Sequence, residues 1–340
     1  MEKILLVLTG GTICSFADIG GVKNSDCKRA FPLLIENLKN TGYDCSEFEF
    51  DIISPFDILS ENMDINSWNG ILKLLSDVDF SEYKGIIAAH GTDTLAYTAS
   101  MLSIMLAGKG IIPLILVSSQ YPLYDCRANG NENFKCAVEL IMKGISPNVY
   151  AVYRNSDGIV YIHKGAELLQ CRNCCEDFFS RNMIPADNWH DIKNKCFENE
   201  MIIYKGLLAE NTVLVIEPYP GIDYSSFSLE GKKCVLHYLY HSSTAAVKCG
   251  NNINSAIYLA EKCRQKGIPF VITPFNSKLL NGGEIYSSTK ALLEAGADVL
   301  CDVSRETAYS KAVIASSFYE GEEIVKFLKK EINDEFAYKW

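Results

Sequence analysis

Two short stretches carry hydroxyl side chains where an α/β protein keeps its ligands. They are Leu8-Thr9-Gly10-Gly11-Thr12-Ile13 and Ala89-His90-Gly91-Thr92-Asp93-Thr94. Each follows an apolar run of strand character, residues 4–8 and 85–89, so Thr12 and Thr92 are expected at the carboxyl ends of parallel strands, the edge where open α/β sheets bind ligands. Two hydroxyls and the Asp93 carboxylate converging there offer a nucleophile with its activating partners. A threonine hydroxyl is a poor nucleophile until a neighbouring group accepts its proton. Gly10-Gly11 lets the backbone turn sharply and approach a ligand closely. Thr92-Asp93 stands where a helix should begin, and the N–H groups of a helix start favour an anion. Capping alone explains Asp93; the two motifs taken together point to acyl transfer.

Other chemistries lack their signatures. Neither GxGxxG nor GxxxxGK[ST] occurs, which removes the usual support for dinucleotide or nucleotide binding, and no GxSxG elbow marks a Ser-His-Asp hydrolase. His90, His163, His190, His237 and His241 show no HExxH spacing and read as structural. The thirteen cysteines are odd in number within a long chain, which favours reduced thiols in a reducing cytosol over a disulfide framework. One CxxC, Cys171 to Cys174, has Cys175, His190 and Cys196 nearby but no second pair, so no metal site is expected.

The elements that must position these residues alternate. Strands are expected at 3–8, 47–53, 85–90, 112–118 and 148–153, and helices near 31–41, 65–76, 93–107 and 130–143. Asp64 can cap the 65–76 helix, where Ile65, Trp68, Leu72 and Leu75 share one face. Such alternation implies a doubly wound, mostly parallel sheet in a larger N-terminal domain, residues 1–185. A Cys-, Asn- and Asp-rich stretch with Pro185 leads into a linker at 186–211. Alternation resumes in a smaller C-terminal α/β domain, 212–340. Its strands are expected at 213–216, 234–239 and 270–273, and its helices near 252–266, 288–295 and 318–332.

Two domains suit 340 residues, and 48% hydrophobic with 22% charged residues is the balance of a soluble protein with a large core. A net charge of −10 without a basic stripe argues against nucleic acid as a partner. No segment approaches the roughly 18–20 apolar residues of a membrane span, and the apolar run after Met1-Glu2-Lys3 is too short for a signal peptide. A cytoplasmic protein is expected.

The two motifs identify the chain as similar to the bacterial-type L-asparaginases, particularly their cytosolic type I branch. Thr9-Gly10-Gly11-Thr12-Ile13 and His90-Gly91-Thr92-Asp93-Thr94 match the family's two signatures, and the second match runs on to Ser100. Leu59-Ser60-Glu61-Asn62-Met63 with Trp68 resembles the family's substrate-binding loop. The stretch 117–122 with Arg127 and Asn133, and Tyr219-Pro220-Gly221, resemble further family segments. The resemblance implies hydrolysis of the side-chain amide of L-asparagine or a related small amide. Thr12 would be the nucleophile that forms an acyl-enzyme, and Thr92 would position water or relay protons. Asp93 and Glu61 would hold the substrate's α-ammonium and Ser60 its α-carboxylate. It also implies a homodimer or homotetramer and no metal or cofactor.

Three departures accompany the match. Counting back from Asp177-Phe178-Phe179, the family's catalytic lysine falls near Gln170, which cannot act as a base; Lys164 lies upstream. The loop after the nucleophile normally carries a tyrosine, and residues 14–30 contain none. Thr244 stands about where the family has an asparagine that reaches a neighbouring subunit's substrate. A second reading is therefore a catalytically impaired homologue that binds a small amino acid in a regulatory role. A third is an amidotransferase component passing ammonia to a partner that acts on charged tRNA. Such proteins carry an extra N-terminal domain, whereas this chain starts directly on its first strand.

Overall fold

β1 (Glu2–Leu8) is buried from Ile4 to Leu8, as a continuous apolar run requires when both faces of a parallel sheet are covered. The computed structural model describes residues 1–337 except 19, 22, 173, 249–251 and 281. After β1 comes a short hairpin, β2 (Ser15–Ala17) and β3 (Lys23–Ser25). Next are α1 (Cys27–Asn40), β4 (Phe48–Ile53), α2 (Ile65–Ser76), β5 (Gly85–Ala89), α3 (Leu95–Met105), β6 (Leu114–Val117), α4 (Gly130–Met142) and β7 (Val149–Arg154). The strands β4, β1, β5, β6 and β7 lie side by side in that order and are parallel. β8 (Val160–Lys164) continues the sheet antiparallel to β7. β9 (Leu168–Leu169) and β10 (Phe179–Ser180) then pair separately, and β11 (Ile184–Pro185) returns to β8 as the seventh strand of the sheet.

This strand order has a functional consequence. The chain leaves β1 towards β4 on one side and returns to β5 on the other, so the crevice between β1 and β5 is a topological switch point. Both threonine motifs emerge there.

Alternating residues cover both faces. Leu6, Leu8, Ile87, Ile115, Val117 and Tyr150 pack with α1 and α4 in one core. Leu5, Val7, Ile86, Leu114 and Leu116 point the other way and are also buried. Each such aliphatic side chain contributes roughly 1.5–3 kcal/mol relative to exposure. On that second side the Trp68 indole N–H of α2 donates to Thr98 Oγ1 of α3 at 3.1 Å.

Local signals set the helix starts. Asp64 accepts from the Ser67 N–H and begins α2 at Ile65, as the pattern predicts. α1 begins at Cys27, earlier than the expected 31, because Asp26 caps it through the Arg29 N–H and Cys27, Ala30, Leu34 and Leu38 form its buried stripe.

The chain divides into two compact units, Met1–Leu207 and Leu208–Trp340. Of the segment 186–211 read as a linker, residues up to 207 fall in the first unit, and Ile192 joins its core. The second unit holds a four-stranded parallel sheet in the order β12 (Val213–Ile216), β13 (Cys234–Tyr238), β14 (Phe270–Phe275) and β15 (Asp298–Cys301). Its helices are α5 (Ala256–Gln265), α6 (Ser277–Leu280), α7 (Ser287–Glu294), α8 (Arg305–Phe318) and α9 (Glu322–Lys329).

Several of these elements depart from expectation. β15 and α8 have no counterpart in the sequence pattern, and the helix expected at 318–332 is the shorter α9. α8 is buried on nearly every side yet built from small and polar residues, so no apolar stripe marks it. Its Lys311 ammonium is fully buried. It donates to the Lys330 carbonyl at 2.6 Å and to the Glu335 carboxylate, beside the rings of Phe327 and Phe336.

Candidate active site

Three turns meet at the carboxyl ends of β1 and β5. After β1, Thr9 donates its N–H (3.1 Å) and its hydroxyl (2.9 Å) to the Ala89 carbonyl at the end of β5. Gly10 bridges to Ile58, and the Gly11 N–H donates to the Ile58 carbonyl at 2.9 Å. Thr12 opens a single 3₁₀ turn, Thr12–Cys14, and is partly buried. Ser60–Asn62 forms a second such turn, and Thr92–Thr94 a third that runs directly into α3.

Glycine makes this convergence possible. A Cβ on Gly11, whose φ is +77°, would stand 2.2 Å from Gly91 Cα. A Cβ on Gly91 would stand 2.3 Å from Ser60 Oγ. The Thr12 turn, the Ser60 turn and the Thr92 turn therefore pack directly on one another, with no room for a further side chain between them.

Hydrogen bonds lock the same contact. Ser60 is buried, and its hydroxyl oxygen accepts the Asp93 N–H at 3.2 Å while its carbonyl accepts the Thr94 hydroxyl at 3.0 Å. Sequence reasoning assigns Ser60 a ligand role, misses this structural one and leaves Thr94 unassigned. Glu61 and Asp93 stand on adjoining turns with exposed side chains, and Thr92 is partly buried. The structure thus brings Thr12, Ser60, Glu61, Thr92 and Asp93 to one crevice. Its polar rim suits a small zwitterion, since carboxylates and hydroxyls at one edge can meet both an ammonium and a carboxylate.

Gln170 is held at this crevice too. Its amide NH2 donates to the Thr92 carbonyl at 2.7 Å, and its amide oxygen accepts the Ala96 N–H at 3.2 Å. The side chain staples the turn at Thr92 to the first turn of α3 and offers no base. Lys164 ends β8, opposite Tyr150 of β7. Thr244 lies in the second unit, where its hydroxyl is 3.4 Å from that of Ser242.

His90, inside the second motif, is structural. Its Nδ1 is 2.8 Å from the Gly91 carbonyl, an acceptor, so Nδ1 carries the proton. Burial pushes its pKa down to about 4, and burial likewise brings His163 to about 3 and His237 to about 4. All three are neutral in the fold at pH 7, whereas in the unfolded chain they titrate near their ordinary 6.5. The unfolded state therefore binds more protons below 6.5. Stability from these groups is present above that pH and is lost as pH falls towards 4, by up to about 1.4 kcal/mol per pH unit for each histidine. Urea unfolding at about pH 7 and about pH 5 is expected to show this loss, with a smaller loss in His163→Asn. Equal losses in the two proteins would contradict it.

Among the described residues every cysteine is free, and no group of three or more His, Cys, Asp or Glu is arranged to hold a metal. Part of the CxxC stretch, Asn173, lies outside the described residues. No helix among them is long and apolar enough to cross a membrane.

Comparison with known proteins fits this geometry. The family model described as asparaginase, N-terminal, matches residues 3–200, more than half of the chain. The class is that of the amidohydrolases. The chain belongs to the asparaginase family. Among curated proteins it is similar to a Glutamyl-tRNA(Gln) amidotransferase component of Methanosarcina barkeri, 26% identical over 99% of this chain and 80% of that protein. The corresponding amidotransferase component of Thermococcus kodakarensis is 27% identical over 92% of this chain and 71% of that one. Among solved structures the fold matches the thermostable L-asparaginase of Thermococcus kodakarensis with a TM-score of 0.76, at 21% identity, over 98% of this chain and 99% of that one. It also matches L-asparaginase I of Vibrio cholerae with a TM-score of 0.72, at 20% identity, over 98% of both chains.

Proposed function

We propose that this chain hydrolyses the side-chain amide of L-asparagine, or of a related small amide, through a covalent threonine intermediate. The Thr12 hydroxyl oxygen attacks the amide carbon, the C–N bond breaks and ammonia leaves; water then cleaves the resulting ester and frees the acid. Thr92 and Asp93 attend the proton transfers, Asp93 and Glu61 take the α-ammonium, and Ser60 takes the α-carboxylate. Matching both charges at once is what gives such a small ligand its hold. The reading uses no metal or cofactor, and it goes with a cytoplasmic homodimer or homotetramer. The observation that supports it most is the close packing of the Thr12, Ser60 and Thr92 turns through Gly11 and Gly91. Ammonia release from L-asparagine, L-glutamine and their D-isomers tests it. No release from any of them would overturn it.

One observation favours a second reading. Both ends of the Gln170 amide are occupied by the backbone around Thr92, so the residue there relays no proton. In that case the chain is an impaired homologue that binds an amino acid without turning it over. Turnover by the native chain separates the two readings, and Gln170→Lys tests the position itself. For a working hydrolase we expect kcat to rise about tenfold or more with little change in KM, since a base acts in the transition state. For a pure binder, calorimetry would show the native chain binding aspartate with no turnover. Ammonia transfer to a partner protein, as the names of the amidotransferase relatives suggest, would show instead as co-purification with a second chain.

A further inference from the structure

The hairpin β2–β3 springs directly from the nucleophile's turn. Thr12–Cys14 ends where Ser15 begins. Its base is fixed twice. The Ser15 hydroxyl donates to the Gly11 carbonyl at 2.8 Å, and the Asp26 N–H donates to the Cys14 carbonyl at 2.8 Å. Among the described residues the ladder pairs Ser15 with Ser25, Phe16 with Asn24 and Ala17 with Lys23. A two-stranded ribbon of this length does not hold its own arrangement in water, so neighbours must set it.

The neighbour is the loop after β6. The Ala17 N–H donates to Tyr124 Oη at 3.1 Å, and the rings of Phe16 and Tyr124 stack with centroids 6.0 Å apart and an interplanar angle of 26°. The Arg29 guanidinium lies 4.1 Å from the Phe16 ring centre, adding a cationic contact to the same side chain. The loop is itself braced. Arg127 donates from Nε (3.0 Å) and Nη2 (2.7 Å) to the Asp125 carboxylate, and its guanidinium lies 4.1 Å from the Tyr121 ring centre. Tyr124 is 53% exposed, so burial in a core does not explain an aromatic residue there. Its ring and its hydroxyl are both committed to the hairpin.

We infer that Tyr124 is a positioning residue for Thr12. It clamps the outer end of the hairpin to the loop after β6 and so holds the nucleophile's turn, at the hairpin's root, in one geometry. A misplacement of about 1 Å at a reacting atom costs on the order of a hundredfold in rate, so a modest clamp is felt at the nucleophile. This inference rests on the proposed role of Thr12 in amide hydrolysis.

Tyr124→Ala, Tyr124→Phe and Thr12→Ala in the full chain test it, by ammonia release and by trypsin cleavage after Lys23. Losing a stacked pair and one hydrogen bond predicts a fall in kcat of about tenfold for Tyr124→Ala, with KM within about twofold and an unchanged melting temperature. Tyr124→Phe keeps the stack and should recover to within about threefold of the native chain. Cleavage after Lys23 should quicken in Tyr124→Ala. A purely structural residue would lower the melting temperature and leave kcat alone. Native kcat in Tyr124→Ala, while Thr12→Ala is inactive, overturns the inference and leaves the hydrolase reading standing. Unchanged cleavage after Lys23 overturns the clamp whatever the turnover. A native chain that releases no ammonia overturns the hydrolase reading and this inference together.

Discussion

Thr12→Ala is expected to lower ammonia release at least about a thousandfold while leaving the fold and amino acid binding in place. Loss of a covalent nucleophile typically costs at least that much, the residue of activity coming from the remaining binding and electrostatic groups. The substitution is structurally mild. Thr12 is partly buried and opens a turn whose shape is set by the Gly11 and Cys14 backbone, which an alanine keeps. Circular dichroism and aspartate calorimetry should therefore match the native chain. Thr12→Ser, which keeps the hydroxyl, should retain measurable turnover. Full activity in Thr12→Ala would end the acyl-enzyme mechanism.

Gly11→Ala is expected to be among the most damaging small substitutions in the first unit. The new methyl would stand 2.2 Å from Gly91 Cα and 2.4 Å from Gly91 N, both main-chain atoms that cannot swing aside, at a φ of +77° that disfavours a side chain. Overpacking of this kind together with backbone strain costs about 3 kcal/mol or more. Gly42 supplies the control. Its φ is +78° but nothing lies within 4 Å of its would-be Cβ, so Gly42→Ala carries the strain alone, about 1 kcal/mol. Urea midpoints for the two variants should differ accordingly, and Gly11→Ala should also lose amino acid binding because the three turns part. Equal midpoints would mean that the contact between the turns yields easily.

The contrast between these two glycines shows what can be read from a sequence and what cannot. Thr-Gly-Gly and His-Gly-Thr after apolar runs announce strand ends, because a buried strand must stop at a residue that can turn. The placement of Thr12 and Thr92 at one edge is therefore legible. That Gly91 touches Gly11 on one side and Ser60 on the other is not, since it depends on β1, β5 and the 54–59 loop meeting in space. The same limit applies to Gln170. Its distance from Asp177 flags an unusual residue, but its two hydrogen bonds across Thr92 and Ala96 are visible only once β9 lies beside α3. The helix at 65–76 is readable from its Asp64 cap and apolar face. α8 is not, because a helix buried on almost every side by small and polar residues has no face for periodicity to reveal. Tyr124, an exposed aromatic in a loop, carries no signal at all until its partner hairpin is in view.

The buried ion pair between Lys311 and Glu335 bears on the order in which the second unit comes together. Lys311 sits in the middle of α8, and its charge is tolerated there only because the Glu335 carboxylate and the Lys330 carbonyl close around it. Glu335 in turn is fixed by the N–H groups of Ile332 and Asn333. A buried ammonium without its partner costs roughly 3–5 kcal/mol, much of the net stability of a typical domain. Until residue 335 has been made, burying α8 against β13 and β14 would leave the Lys311 charge unpaired. The first unit can be complete by then. The partner that Lys311 needs comes more than a hundred residues after the second unit's first strand begins, so the burial of α8 is tied to chain made late in synthesis.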